Sequence, residues 1–274
     1  MNDSLTTAHK NVYPFTLSCP SFIYPAGYSD NVRRLGASVD EIELLLLESN
    51  PTCLPPAKEI RALAGLAREQ DLTFNIHLPT DVSLAAVEQT RREQALAGIC
   101  RALDLSRELE PTSLTLHLPG PDRPDEPEQL SAWQDRLEEA AVRLLEQSDL
   151  PASRFALENL DYPFSWLDRL LDRFDFAVCM DTGHLMFHHQ DCLDFFQRYR
   201  HRIAIIHTHG VAGGRDHLAL NRLNQRQTRD VSTIFSSFQR SLSLEVFNLP
   251  DLAASLDYLA GIWDNIKNKS VTQK

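Results

Sequence analysis

Eight short apolar runs, each followed by a stretch of helical character, constrain this chain more than any other feature. The runs are Val12–Cys19, Glu41–Leu47, Leu72–Leu78, Pro111–Leu118, Arg154–Leu160, Phe176–Met180, Arg202–Thr208 and Ser241–Phe247. Glu41–Leu47 (EIELLLL) is nearly continuous in apolar residues, as expected of a strand covered on both faces. The stretches between them fit helices. Pro55-Pro56 opens one whose apolar residues Ile60, Leu63, Leu66 and Ala67 follow the 3, 4 spacing. Others are expected over Ser29–Leu35, Ser83–Glu108, Glu128–Gln147, Pro163–Arg173, Leu193–Tyr199, Val231–Gln239 and Leu252–Ile266. Repeated strand–helix units build a parallel sheet, and eight of them close it. The fold class expected is therefore α/β, a single-domain (β/α)8 TIM barrel over residues 11–268, with a flexible tail at 1–10 and a polar tail at 269–274. An open doubly wound sheet is the alternative, but no Gly-x-Gly-x-x-Gly follows the first strand.

Composition narrows the partners. The chain has 274 residues and a net charge of −11, which argues against a duplex nucleic acid partner without forbidding a local basic patch. Its five cysteines, Cys19, Cys53, Cys100, Cys179 and Cys192, lack Cys-x-x-Cys spacing and read as reduced thiols of a cytoplasmic protein. Met1–Lys10 has no apolar core of a secretory signal, and no run approaches the ~20 apolar residues of a membrane span. A small-molecule substrate is the expectation.

The chemistry lies at the strand ends. In such a barrel, functional residues sit at the C-terminal ends of the strands. From the third strand to the eighth these ends carry His77, His117, Glu158, Asp181, His207 and Glu245. His184 follows the sixth strand; His209 and then Asp216-His217 follow the seventh. The stretch VCMDTGH concentrates the pattern: Asp181 leaves the strand, Gly183 is expected to let the backbone turn sharply, and His184 returns toward the same point. A lone histidine at a strand end is more often a satisfied polar residue than a ligand. Glu158 in FALENL and Glu245 in LSLEVF are harder to dismiss, because an unpaired buried carboxylate costs several kcal/mol and demands a cation beside it. Histidine and carboxylate together suit zinc, manganese or iron. His9, His188, His189 and His201 are expected to be solvated.

The stretches FNIHLP, LTLHLPG, FALEN, CMDTGH, IIHTH and LSLEVF resemble the xylose-isomerase-like barrels, which include sugar isomerases and epimerases and the endonuclease IV group. VYPFTLSCPSFIYPAGYSDNVRRL, DEIELLLLES, ENLDYPFSWL and GRDHLAL resemble one branch, the cobamide-remodelling phosphodiesterases. That resemblance implies a cytoplasmic, metal-dependent hydrolase that cleaves the nucleotide-loop phosphodiester of a cobamide. It implies one ion held by His77, His117 and Glu158, a second held by Glu158, Asp181, His207 and Glu245, and a third held by His184, Asp216 and His217. The third ion is where this chain departs from endonuclease IV, which separates the aspartate from the histidine by one residue. Here the two are adjacent, so their side chains diverge on an extended backbone. His209 lies on the same face as His207 and could replace a ligand or contact substrate. Arg215 could meet a phosphate, or be solvated. Phe22, Tyr24 and Tyr28 after the first strand, and Tyr162, Phe164 and Trp166 after the fifth, offer surface for a large flat substrate or else pack over the barrel mouth. A sugar isomerase or epimerase would use Glu158, Asp181, His207 and Glu245 around a single ion. An abasic-site endonuclease and a corrinoid-binding barrel without turnover are the remaining readings.

Overall fold

A computed structural model describes residues 5, 8–121, 123 and 125–272, the last four without their side chains. Strands and helices follow one another in chain order: β1 (Thr16–Pro20), α1 (Tyr28–Leu35), β2 (Glu41–Leu45), α2 (Ala57–Gln70), β3 (Thr73–His77), α3 (Gln89–Ser106), β4 (Leu114–Leu116), α4 (Pro127–Ser148), β5 (Phe155–Glu158) and α5 (Asp168–Arg173). They continue with β6 (Ala177–Asp181), α6 (Thr182–Phe187), α7 (Cys192–Tyr199), β7 (Ile203–Thr208), β8 (Gly210–Ala212), β9 (Arg215–Leu218), α8 (Gln225–Phe235), β10 (Ser241–Leu244) and α9 (Leu249–Thr272). The strands β1-β2-β3-β4-β5-β6-β7-β10 pair in parallel and close on themselves, while β8 and β9 form a separate antiparallel pair. The single-domain (β/α)8 barrel expected from the alternation is the fold.

Two interiors result from the strand period of two. Side chains pointing outward, such as Leu17, Ile42, Leu44, Phe74, Ile76, Phe155, Leu157, Val178 and Met180, join the helices in one large apolar core. Side chains pointing inward are mostly small or polar. Ala156, Ala177, Cys179 and Ile205 form an apolar patch of their own. Opposite them, Asn75 Nδ2 donates to Ser18 Oγ (3.1 Å) and to Glu41 Oε2 (2.8 Å), and Ser243 Oγ donates to Glu43 Oε2 (2.6 Å). The Asn75–Ser18 and Ser243–Glu43 bonds skip over a strand, so they run through the barrel lumen. Barrels of this kind usually fill the lumen with bulky branched residues. Here it is a buried hydrogen-bonded column beneath the rim.

Several expectations about elements are corrected. Gly183 makes no sharp turn: it lies within α6, a short helix the sequence reading missed, and its φ is not positive. Its value is room, since a Cβ there would collide with the His209 imidazole. The glycine-rich segment after β7 is the β8–β9 hairpin, turned by Gly213 and Gly214 at positive φ. Helix α8 starts well before Val231 because Asn224 and Gln227 make a capping box. Residues 1–4, 6 and 7 of the expected N-terminal tail lie outside the described residues, as do 273 and 274 of the C-terminal one. The end of the N-terminal segment is held. His9, expected in solvent, is buried with Nδ1 3.1 Å from the Tyr13 hydroxyl, and Lys10 donates to the carbonyl of Gln70. His188, His189 and His201 are exposed. The five cysteines are unpaired, and among the described residues no helix is long and apolar enough to cross a membrane.

Candidate metal centre

Barrel geometry delivers the strand ends to one place. His77, Glu158 and Asp181 are the last residues of β3, β5 and β6; His117 and Glu245 come one residue after β4 and β10; His207 is near the end of β7. Asp181 pairs in register with His207, which also pairs with Ser243 two residues before Glu245. Asp181 has a second task. It caps α6, one carboxylate oxygen accepting from the His184 N–H at 2.8 Å, and this turns His184 back over the rim. Asn159 clamps the same point by accepting from the Asp181 N–H (2.8 Å) and donating to its carbonyl (3.0 Å).

Glu158 stands between two groups of ligands. Its Oε2 is 2.9 Å from His117 Nε2 and 3.4 Å from His77 Nε2. Its Oε1 is 3.5 Å from His184 Nδ1 and 3.7 Å from His207 Nδ1. Ligand atoms of His77, His117 and Glu158 lie within 4.8 Å of one another, and so do those of Glu158, Asp181, His207 and Glu245. These are the first two sets expected from the resemblance, sharing one carboxylate.

The third set converges with a different membership. Ligand atoms converge within 4.8 Å for His184, His209 and His217; Asp216 does not belong to this group. Asp216 and His217 lie where the β8–β9 pair is bulged, His217 having a positive φ of 47°, and it is the His217 ring that reaches the group. His209 replaces Asp216 in space but not in chemistry. The His217 N–H donates to His209 Nδ1 at 2.9 Å, which leaves the ring proton on Nε2, 3.3 Å from Asp181 Oδ1. His209 thus packs its Nε2 against Asp181 without an aligned hydrogen bond, and His207 is the strand-seven residue that faces Glu158 and Glu245. His184 and His217 remain as the inward donors of the third set.

Electrostatics agree with a cation site. Glu158 and Asp181 are almost completely buried. Burial opposes their ionisation, yet His117 and His207 hold Glu158 well below the usual carboxylate range, and His184 and His209 do the same for Asp181. Burial likewise opposes charge on His184, but Asp181, Glu158 and Glu245 push it up to about 9. Burial opposes charge on His207 as well, yet the carboxylates of Glu43, Glu245 and Glu158 raise it well above its ordinary value. The carboxylates thus demand positive charge at their centre. Asp181 Oδ2, Glu245 Oε2 and His207 Nδ1 are buried without a hydrogen-bond partner, although each belongs to the same convergent group. Orphaned atoms of this kind are costly unless something binds them. A divalent ion fits this donor set.

The remaining candidates separate by burial. Phe22 is 58% exposed, but Tyr24 is only 5% exposed and lies under the Arg34 guanidinium. Tyr28 donates to the carbonyl of Leu45 (2.9 Å). Tyr162 and Phe164 are buried; Tyr162 donates to the carbonyl of Leu118 (2.6 Å) and stacks on the half-buried Trp166. Tyr24, Tyr162 and Phe164 are thus packed at the barrel mouth, the second of the two expected arrangements, and Phe22 is the more exposed aromatic there. Arg215 is exposed on β9. Phe247, beside the His217 ring at 5.1 Å between centroids, adds a second exposed aromatic that sequence reasoning did not single out.

Glu43 is the main residue missed. It is fully buried in β2 with Oε1 3.0 Å from His207 Nε2. The signal was available: Glu43 interrupts an apolar strand just as Glu158 and Glu245 do.

Comparison with known proteins agrees with this architecture. No curated protein sequence matches significantly. Among solved structures, a D-tagatose 3-epimerase-like protein superposes with a TM-score of 0.77 at 17% identity, covering 93% of this chain and 99% of its own. An endonuclease IV from Thermus thermophilus gives 0.69 at 20% identity, covering 91% and 99%. A D-psicose 3-epimerase from Clostridium cellulolyticum gives 0.64 at 13% identity, covering 85% of each chain. At such identities the likeness is one of fold. A family model matches residues 30–257, which is most of the chain and includes every proposed ligand. The chain belongs to the xylose isomerase-like TIM barrel family.

Proposed function

We propose that this protein is a metal-dependent phosphodiesterase that hydrolyses the nucleotide-loop phosphodiester of a cobamide. The observation that carries the hydrolase reading is the sharing of Glu158 between two complete ligand groups, one with His77 and His117 and one with Asp181, His207 and Glu245. A single-ion enzyme needs only the second group. Two divalent ions bound there would supply an activated water and neutralise the charge that develops on phosphorus. The protein's own groups do the rest. Glu158 turns one oxygen to each group, Asp181 is fixed by the α6 N-terminus and Asn159, and His77 is oriented by Nδ1 lying 3.1 Å from the Leu78 carbonyl. Phe22 and Phe247 offer exposed apolar surface at the mouth for a large flat substrate. The corrinoid itself is supported by the sequence resemblance of the loops after β1 and β5 to the cobamide-remodelling branch.

A sugar or sugar-phosphate epimerase is the second reading, favoured by the four-residue group Glu158, Asp181, His207 and Glu245 and by the epimerases among the structural neighbours. The two readings part on products and on stoichiometry. Incubation of the protein, loaded with zinc, manganese or iron in turn, with adenosylcobalamin should release cobinamide phosphate and a riboside, with two ions per chain. An untouched cobamide with one ion per chain would return the function to an epimerase, to be screened on ketoses and their phosphates.

A further inference from the structure

The imidazoles of the centre are oriented in two different ways. His77, His184 and His217 each turn Nδ1 to a backbone carbonyl, those of Leu78 (3.1 Å), Asn159 (3.2 Å) and Glu245 (3.2 Å). A carbonyl accepts the Nδ1 proton and so leaves Nε2 free as a ligand atom. His207 is reversed. Its Nδ1 faces the carboxylates of Glu158 (3.7 Å) and Glu245 (3.4 Å), and its Nε2 lies 3.0 Å from Glu43 Oε1 across the lumen, a close contact not aligned as a hydrogen bond in the metal-free chain, where both atoms lack any other partner among the described residues. Both residues are fully buried. Glu43 is itself anchored from the far side, its Oε2 accepting from Ser243 Oγ at 2.6 Å.

We propose that Glu43 is the positioning residue of the second ion: it accepts the Nε2 proton of His207, fixes that tautomer, and so presents Nδ1 to the ion shared with Glu158, Asp181 and Glu245. A carboxylate in this role also raises the basicity of the imidazole it holds, which strengthens the ligand. Ser243, one strand over from β7, acts behind it by holding the carboxylate in place. The inference rests on the two-ion reading of the centre. It does not depend on which phosphodiester is cleaved.

The test compares ion affinity in the wild type, E43Q, E43A and S243A by competition of Zn²⁺ alone and Mn²⁺ alone against a chromogenic chelator, with circular dichroism as the check on folding. E43A is expected to bind one of its two ions about 10- to 100-fold more weakly, the usual effect of losing such an outer partner. E43Q keeps an acceptor oxygen of the same reach, so it should recover part of that loss. S243A keeps Glu43 and should shift affinity in the same direction by less; it stands as the deciding variant if neither Glu43 substitution folds. Affinity in E43A, or in S243A in that case, equal to that of the wild type overturns the inference and leaves the two-ion reading intact. An E43Q protein that saturates with one ion fewer also overturns it, because Glu43 would then be a ligand itself. A wild-type protein that binds neither ion overturns the two-ion reading, and the inference with it.

Discussion

Glu158 carries more of the centre than any other side chain, because each of its oxygens serves a different group of ligands. Glu158→Gln keeps the volume and one acceptor but removes the charge that both groups share. The expected result is a folded protein with turnover reduced about 100-fold or more, the scale on which an active site loses a charge-stabilising group. Product assays beside a circular dichroism spectrum check this, and near-normal turnover would remove Glu158 from its bridging role. Gly183 makes a different demand. A methyl group there meets the His209 ring, which is itself wedged between Asp181 and the His217 backbone. Gly183→Ala should cost about 1–3 kcal/mol, the range for forcing extra volume into a packed site. Urea unfolding reads that cost. Loss of bound metal should accompany it, because the displaced ring no longer supports Asp181.

At the scale of elements, the β8–β9 hairpin decides which of two adjacent residues reaches the rim. The bulge in this strand pair, with His217 at a positive φ of 47°, carries the His217 ring to the cluster and leaves Asp216 out of it. Asp216→Asn should therefore keep the metal content of the wild type, whereas His217→Ala should lower it; metal analysis after exhaustive dialysis separates the two. This hairpin also marks how far the sequence could be read. The eight strands were legible because each is a short apolar run, and the ends of six of them, β3 to β7 and β10, carry the ligands in that order. Helix α6 was not, because six residues beginning Thr-Gly-His have too little periodicity to reveal a turn of helix set by the Asp181 cap. Nor could spacing show that His209 accepts from the His217 backbone, a contact made only when the hairpin folds back. Glu43 escaped for another reason. Its strand is apolar on the outer face and carries Glu41 and Glu43 on the inner one, and only the closed lumen shows which partner each carboxylate finds.

For the whole molecule, the centre trades local stability for function. Four buried carboxylates, Glu43, Glu158, Asp181 and Glu245, converge on one end of the barrel, and in the metal-free protein protonated imidazoles must balance them. His184 shows the sign of the effect. Its folded-state pKa of about 9 lies above its ordinary 6.5, so the stability it contributes is complete below pH 6.5 and disappears as the pH rises through about 9. An ion replaces those protons, so its binding releases them and tightens over the same interval. The two dependences oppose each other. Removing metal with a chelator should lower the melting temperature at every pH, and the gap between loaded and stripped protein should widen from pH 6.5 to 9. At free ion a hundredfold above its dissociation constant, one site adds about 2.7 kcal/mol, or roughly 5–10 °C for a chain of this size. Differential scanning calorimetry across that pH range tests both the size and the trend. A constant gap would mean that protons and ions do not compete for the same imidazoles, and that the convergence of His184 and His207 on Glu158 serves the fold rather than a metal.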